Sequence, residues 1–368
     1  KVNFIFTGLL MDSATQYDQS RFLYAEDCRI SMKDYTLNTS DSLYRFTAGD
    51  LEIRTRDKLM ELRKLSLKPR LGHRDFYRKV KHQQDIFSLD MEKLDFNAVA
   101  WWSLLAQESF LSGKMHLYNG KLRVYNDKSQ PVDPRSKKGK FPHQLLLKLP
   151  FTIKVDTIFV TGLDLSYEEL NPKSGQTGTL RFDNISGRIT HVTNDPELIR
   201  GNSNCEVEAK TVFLDRTPVH ALFMFDLSRA ATGDFSVNAT VGALSKEQLN
   251  QILTPLALVK LNDAHVKSMK AEIHGNNTRG TGKVRLLYED LNITALKSSE
   301  DTLKKRPLLS FIANNFVIEK QNPAPGKAVR IGTGVHQHPY NKSFFNLVWK
   351  SIFVAAAETI GYKIKEEK

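Results

Sequence analysis

The 368-residue chain has only two cysteines, Cys28 and Cys205. Neither has a partner at CxxC spacing, so the sequence offers no zinc or redox motif. No run approaches the ~18–20 apolar residues of a membrane-spanning helix. Val2 to Leu10 is too short to span and lacks a small-residue cleavage site, so it reads as a strand rather than a signal peptide. There is no GxSxG, no HExxH, no phosphate-binding Walker loop, and no GxGxxG between a strand and a helix. The chain therefore reads as non-enzymatic, with no cofactor. Lys and Arg total 53 against 41 Asp and Glu, a formal charge of +12. The densest basic stretch, Arg135 to Lys140, is bracketed by prolines and has no interleaved aromatics. It reads as a solvated loop, and no nucleic-acid partner is expected.

What the chain does have is alternation. From Phe151 to Glu168 the odd positions are Phe151, Ile153, Val155, Thr157, Phe159, Thr161, Leu163, Leu165 and Tyr167. Lys154, Asp156, Asp164, Ser166 and Glu168 fall between them. This pattern predicts one strand with an apolar face and a wet face. Strands usually run about 5–6 residues, and this one is roughly three times as long. Such a face cannot be buried by one strand, so neighbours of similar length must flank it.

The flanking sequence supplies them. Strand patterns fill Phe22 to Asn97, Ala98 to Gln107 suits a short helix, and Phe110 to Tyr125 reads as a hairpin around Asn119-Gly120. Residues 127–150 form a Pro- and Gly-containing linker ending in a short helix. After Phe151 come strands over Gly178–Asn194, Glu206–Leu214, Val219–Leu227 and Phe235–Val241. The apolar phase slips between Phe182 and Ile185, and again at Glu289-Asp290, as β-bulges require. Ser245 and Gln248 form a capping box at the start of a helix, and two more strands follow to Ala295. Leu303–Ile318 reads as helical, Gln321–Gly334 as loop, and Phe344–Ile360 as a terminal helix. That helix is expected to close the sheet with a face of Phe345, Trp349, Ile352, Phe353, Ala356 and Ile360. His336 and His338 read as a surface loop rather than a metal site, and Asp164, Glu168 and Glu169 as carboxylates of a wet face.

Four regions result: an N-terminal β-rich part over 1–126, the linker over 127–150, a β-region over 151–297 and a helical cap over 298–368. The fold class is mainly β, a long, curved, largely antiparallel sheet forming an elongated groove with a few short helices at its ends. Candidates to line the groove are Phe151, Ile153, Val155, Phe159, Leu163, Leu165, Phe223, Phe225, Phe235 and Val237. Periodicity leaves two ways of covering them, a second layer of packed side chains or bound acyl chains.

Gly178 to Asn194, Ala231 to Val237, Leu249 to Ala257 and Gly280 to Leu291 together resemble the C-terminal region of AsmA-like envelope proteins of Gram-negative bacteria. The resemblance covers Phe151–Leu296 and extends to the earlier strands only in texture. It implies a periplasmic protein anchored in the inner membrane, with an apolar groove associated with moving phospholipid toward the outer membrane. The anchor would lie in sequence upstream of Lys1. The implied partners are phospholipid acyl chains and inner- or outer-membrane proteins at the two ends. The alternative is a scaffold that assists outer-membrane assembly without binding lipid.

Overall fold

The computed structural model describes residues 1–296 and 318–361. Among these residues fifteen strands form one open sheet. In chain order they are β1 (Val2–Thr7), β2 (Asp27–Asn38), β3 (Tyr44–Arg54), β4 (Leu59–Pro69), β5 (Ile86–Asn97), β6 (Ser109–Asp127), β7 (Thr152–Asn171), β8 (Gln176–Thr193) and β9 (Asn204–Phe213). Then follow β10 (Thr217–Asp226), β11 (Phe235–Val241), β12 (Leu244–Ser245), β13 (Val259–Gly275), β14 (Arg279–Ala295) and β15 (Gly332–Gln337). Spatial order repeats chain order, with the two-residue β12 attached only to β13. The sheet is thus a long, curved, largely antiparallel trough, and its strands come from the sequence regions on both sides of the linker.

Among the described residues the one parallel pair is β6 with β7. Residues 128–151 carry the chain back to the end from which β6 started, so β7 runs beside β6 in the same direction. This one exception leaves the sheet largely antiparallel, as expected from the sequence. The hairpin expected at Asn119-Gly120 is also absent. β6 continues through both residues, and Asn119 takes a left-handed conformation (φ 48°) inside the strand. Its side-chain amide donates to Glu92 at 2.6 Å. Asparagine tolerates that conformation because its short polar group can bond locally, so the same dipeptide serves a bulge as readily as a turn.

Among the described residues six α-helices connect the strands or pack against the sheet. The first, α1 (His73–Val80), lies within a stretch that reads as continuous strand. Its buried Phe76 and Tyr77 pack with Leu43, Tyr44 and Ile86. Gly72 before it, Asp75 in its first turn, and Arg78 and Lys79 in its last are helix-end signals that a strand reading passes over. As expected, α2 (Trp101–Ala106) is helical; Trp101 packs with Phe22, Cys28 and Val99. Two further short helices are α3 (Pro142–Leu146) and α4 (Pro196–Gly201). In α5 (Lys246–Ala257) the Ser245–Gln248 capping box is formed. The last helix is α6 (Phe344–Thr359), capped by Ser343. The helix expected over 303–318 lies outside the described residues apart from Ile318. The loop expected over 321–334 ends in β15.

The terminal helix docks on the sheet as expected, and Ile352, Ala356 and Ile360 of the expected face pack against the core, but the rings of that face do not. Its seated stripe is Phe344, Leu347, Ser351 and Ala355, the last three fully buried, whereas Phe345 and Trp349 are 66% and 46% exposed. The physical reason lies in the strands beneath. Gly280 and Gly282 of β14 and Gly332 and Gly334 of β15 form a floor without side chains, and a β-carbon on any of them would meet atoms of α6. A bare floor accepts small residues at close backbone approach, and bulky rings are left to point outward.

Candidate functional site

The ladder registers reveal rows of side chains running across the strands. One row is Phe4, Ile30, Ile53, Met60, Phe96, Met115, Ile158, Ile189, Val207, Phe223, Val237, Ile273, Gly282 and Gly334. The row beside it is Val2, Met32, Leu51, Leu62, Leu94, Leu117, Val160, Gly187, Ala209, Ala221, Ala239, Ala271, Val284 and Gly332. Neither contains a polar residue over fourteen strands. At ~4.8 Å between strands each row is about 60 Å long.

Two more rows adjoin these over the N-terminal half. One passes from Tyr35 through Ala48, Leu65, Met91, Gly120 and Leu163 to Ile185; the other runs from Leu37 to Phe213 through Leu122, Leu165 and Phe182. Ala48, Leu65 and Met91 pack with Leu62, Leu94 and Leu117, so all four rows share a face. A line of left-handed residues, Asp34, Lys64, Asn119 and Gly162, separates the two pairs of rows, and on β8 Asn184 makes the same break one row further on, between Ile185 and Phe182. Each resets the alternation of its strand and keeps apolar residues on the same side.

The opposite face is charged. At the level of the first rows it carries Glu52, Glu61, Asp95, His116, Arg188 and Glu208. Lys93 pairs with Asp95 at 2.9 Å and Glu61 at 3.3 Å, and lies 4.6 Å from the Tyr118 ring centre. The hydrogen bond to Asp95 raises the ammonium's pKa above its ordinary value. Among the described residues no three His, Cys, Asp or Glu side chains converge as a metal-ion set. Both cysteines are buried and free, and burial pushes the Cys205 thiol up to about 11.

Nine of the ten candidate residues divide into three groups. Leu163 and Leu165 lie half-buried in the apolar rows, as does Phe223. Phe225, Phe235 and Val237 are on the same face but buried beneath α3 and α6, in one cluster with Phe141, Phe344 and Leu347. There the Phe235 and Phe344 rings lie 4.7 Å apart. At the start of β7, Phe151 is 43% exposed, Ile153 is half-buried, and Val155 is buried between Ser112 and Val192.

Phe159 is the correction. It belongs to the charged face, in register with His116 and Arg188 and 4.8 Å from the His116 ring. Gly162, at φ 70°, accompanies a register shift between Val160 and Leu163, so Phe159 and Leu163 point to opposite faces despite equal parity. The groove residues of this part of β7 are Ile158 and Val160, which strict alternation misses. Also missed are Ile53, Met60, Leu62, Leu94, Phe96, Met115 and Leu117. Their signal was present: β3, β4, β5 and β6 each carry two apolar residues two positions apart.

His338 is a second correction. It is buried against Phe141, with ring centres 5.7 Å apart, rather than lying in a surface loop. Burial holds its imidazole down to about 4. Asp164 accepts from the Asn184 amide at 3.0 Å, and Glu169 accepts from the Tyr167 hydroxyl at 2.9 Å. Those two carboxylates serve structure.

No family model matches this chain, and no curated protein matches it. Among the described residues no helix is long and apolar enough to cross a membrane. The groove itself is open at one end and closed at the other. Val2 and Phe4 end their rows exposed at the β1 edge, whereas Gly282, Gly332 and Gly334 end theirs beneath α6. Between the ends, Ile158, Val160, Leu94 and Leu117 are neither buried nor fully exposed. Such a floor has no hydrogen-bonding side chain to offer a polar ligand. What it offers is a continuous strip of hydrocarbon contact.

Proposed function

We propose that this protein is a non-enzymatic carrier of phospholipid, holding acyl chains along its apolar rows while headgroups stay at the wet rim. The observation that carries this reading is the pair of unbroken apolar rows across fourteen strands, partly open to solvent over β2 to β9. Burying a methylene is worth about 0.8 kcal/mol, so a strip about 60 Å long has room for several acyl chains in line. The resemblance of residues 151–296 to AsmA-like proteins supports placing this traffic in the periplasm of a Gram-negative bacterium, between inner and outer membrane. It also supports anchorage by sequence outside this chain.

The test is a photocrosslinking amino acid placed at Leu117, on the groove floor, and at His116, on the opposite face. Crosslinks to phospholipid at position 117 and none at 116 are expected. Equal labelling of both positions, or a purified protein from which organic extraction recovers no phospholipid, would leave the scaffold reading in its place.

A further inference from the structure

We infer that the basic loop 135–140 and the outward face of α6 together form a docking surface for an anionic phospholipid bilayer. The two features are far apart in sequence and joined in the fold. The backbone amide of Lys137 donates to the Tyr340 carbonyl at 2.6 Å, and the Asn341 side-chain amide donates to the Asp133 carbonyl at 3.2 Å. The loop is thereby tied to the residues that lead into α6.

The chemistry of the patch has two parts. Lys137, Lys138 and Lys140 form no ion pair with the described residues, and Lys138 and Lys140 are exposed. Positive charge accumulates here. Burial lowers the pKa of the Lys342 ammonium, and Lys128, Lys137 and Lys350 lower it further against the pull of Glu169. Beside this charge stand exposed rings, Tyr340 at 51%, Phe345 at 66% and Trp349 at 46%. Phe345 and Trp349 are one turn apart on α6. Its other face is fixed in the glycine floor, so the helix cannot turn these rings inward.

An interfacial helix has this composition, with aromatic rings at the headgroup boundary and lysines toward anionic lipid. A bilayer also accepts a row of rings and a basic loop without demanding a complementary shape. Each lysine near an anionic surface adds a comparable increment of attraction, so charge reversal at three positions has a large effect.

Vesicle sedimentation tests the inference. The protein is expected to sediment with vesicles of phosphatidylcholine mixed with phosphatidylglycerol, far more than with phosphatidylcholine alone, and to be released by salt. Changing Lys137, Lys138 and Lys140 together to Glu is expected to weaken anionic-vesicle binding about tenfold or more. Phe345→Ser with Trp349→Ser should weaken it to a similar degree, with the melting temperature unchanged in both variants. Leu117→Asp, on the groove floor, should sediment as the unaltered protein does, so the outcome is read separately from groove occupancy. Equal sedimentation with neutral and anionic vesicles would overturn the inference. So would full binding by either patch variant, or loss of binding in Leu117→Asp.

Discussion

Ser351 of the terminal helix rests directly on Gly282 of β14, so close that a β-carbon at Gly282 would run into the Ser351 carbonyl. The same holds for Gly332, whose β-carbon would meet the backbone of Ala355. Backbone cannot step aside as a side chain can. Gly282→Val is therefore expected to lift α6 and cost about 3 kcal/mol or more, read as a lower melting temperature and protease cleavage within 344–359. Gly280→Ala should be milder, because the nearest obstacle there is the Ser351 hydroxyl, the end of a side chain. Removing everything after Asn341 should uncover Phe225, Phe235 and Val237 and promote aggregation. A Gly282→Val variant that melts like the unaltered protein would show that the seat does not hold the helix.

The two long rows supply a contrast between open groove and dry core. Leu117 is partly exposed on the floor and Val237 is 2% exposed beneath α6. An Asp at 117 can keep water, so Leu117→Asp is expected to cost roughly 1 kcal/mol while sharply reducing recovered lipid. Val237→Asp buries an unpaired carboxylate and should unfold the protein, at a cost of several kcal/mol. Chemical denaturation and lipid extraction on the two variants separate these effects. Equal destabilisation by both would mean that the floor at Leu117 is as tightly packed as the core.

Much of this trough was legible in the sequence, and the errors have physical causes. The length of β7 and β8, the phase slip at Asn184 and the Ser245 cap were all readable, because each is a local property of one segment. The facing of Phe159 was not. Its side depends on whether Gly162 continues the pleat or breaks it, and glycine permits both. The docked stripe of α6 was hidden for a different reason. Hydrophobicity along the helix favours Phe345 and Trp349 as the buried face, but the choice is made by four glycines on β14 and β15. His338 beside Pro339 looked like surface because nothing nearby in sequence announces Phe141, some two hundred positions earlier.

Acid should loosen the covered end of the groove. His143 is buried beside Phe225, with ring centres 5.0 Å apart, and neither of its ring nitrogens has a hydrogen-bond partner among the described residues. Burial holds its pKa down to about 4, against the opposing pull of Asp226 and Asp234. His338 is held down to about 4 by burial, with His336 and Lys138 adding to the effect. Both imidazoles therefore bind protons more readily unfolded, near pH 6.5, than folded. Stability should be full above that pH and fall as pH drops from about 6.5 toward 4, by on the order of 2–3 kcal/mol for each ring. His143→Phe, which suits the aromatic surroundings, should remove part of the acid sensitivity. Melting curves across this range decide it; the same pH dependence in the variant would exclude His143 as a source.

Tyr288 joins three separate parts of the C-terminal region through one hydroxyl. Its ring is 1% exposed, and the hydroxyl lies 3.0 Å from the Glu319 carbonyl and 3.1 Å from the Thr359 carbonyl. A single proton is shared between two acceptors, one in the returning segment and one at the end of α6. Nearby, Asn322 donates to the carbonyls of Leu286 and Arg330 and accepts from the Arg330 amide. Burial pushes the Tyr288 phenol up to about 12, so it remains protonated at any pH the fold tolerates. Tyr288→Phe keeps the ring and removes only the donor, leaving two carbonyls with a poorer environment. The expected cost is about 1–3 kcal/mol, concentrated where α6 ends. Amide exchange should therefore accelerate over 355–360 while β5 and β6 keep their protection. Uniform acceleration throughout the sheet would mean that the hydroxyl supports global stability rather than the end of this helix.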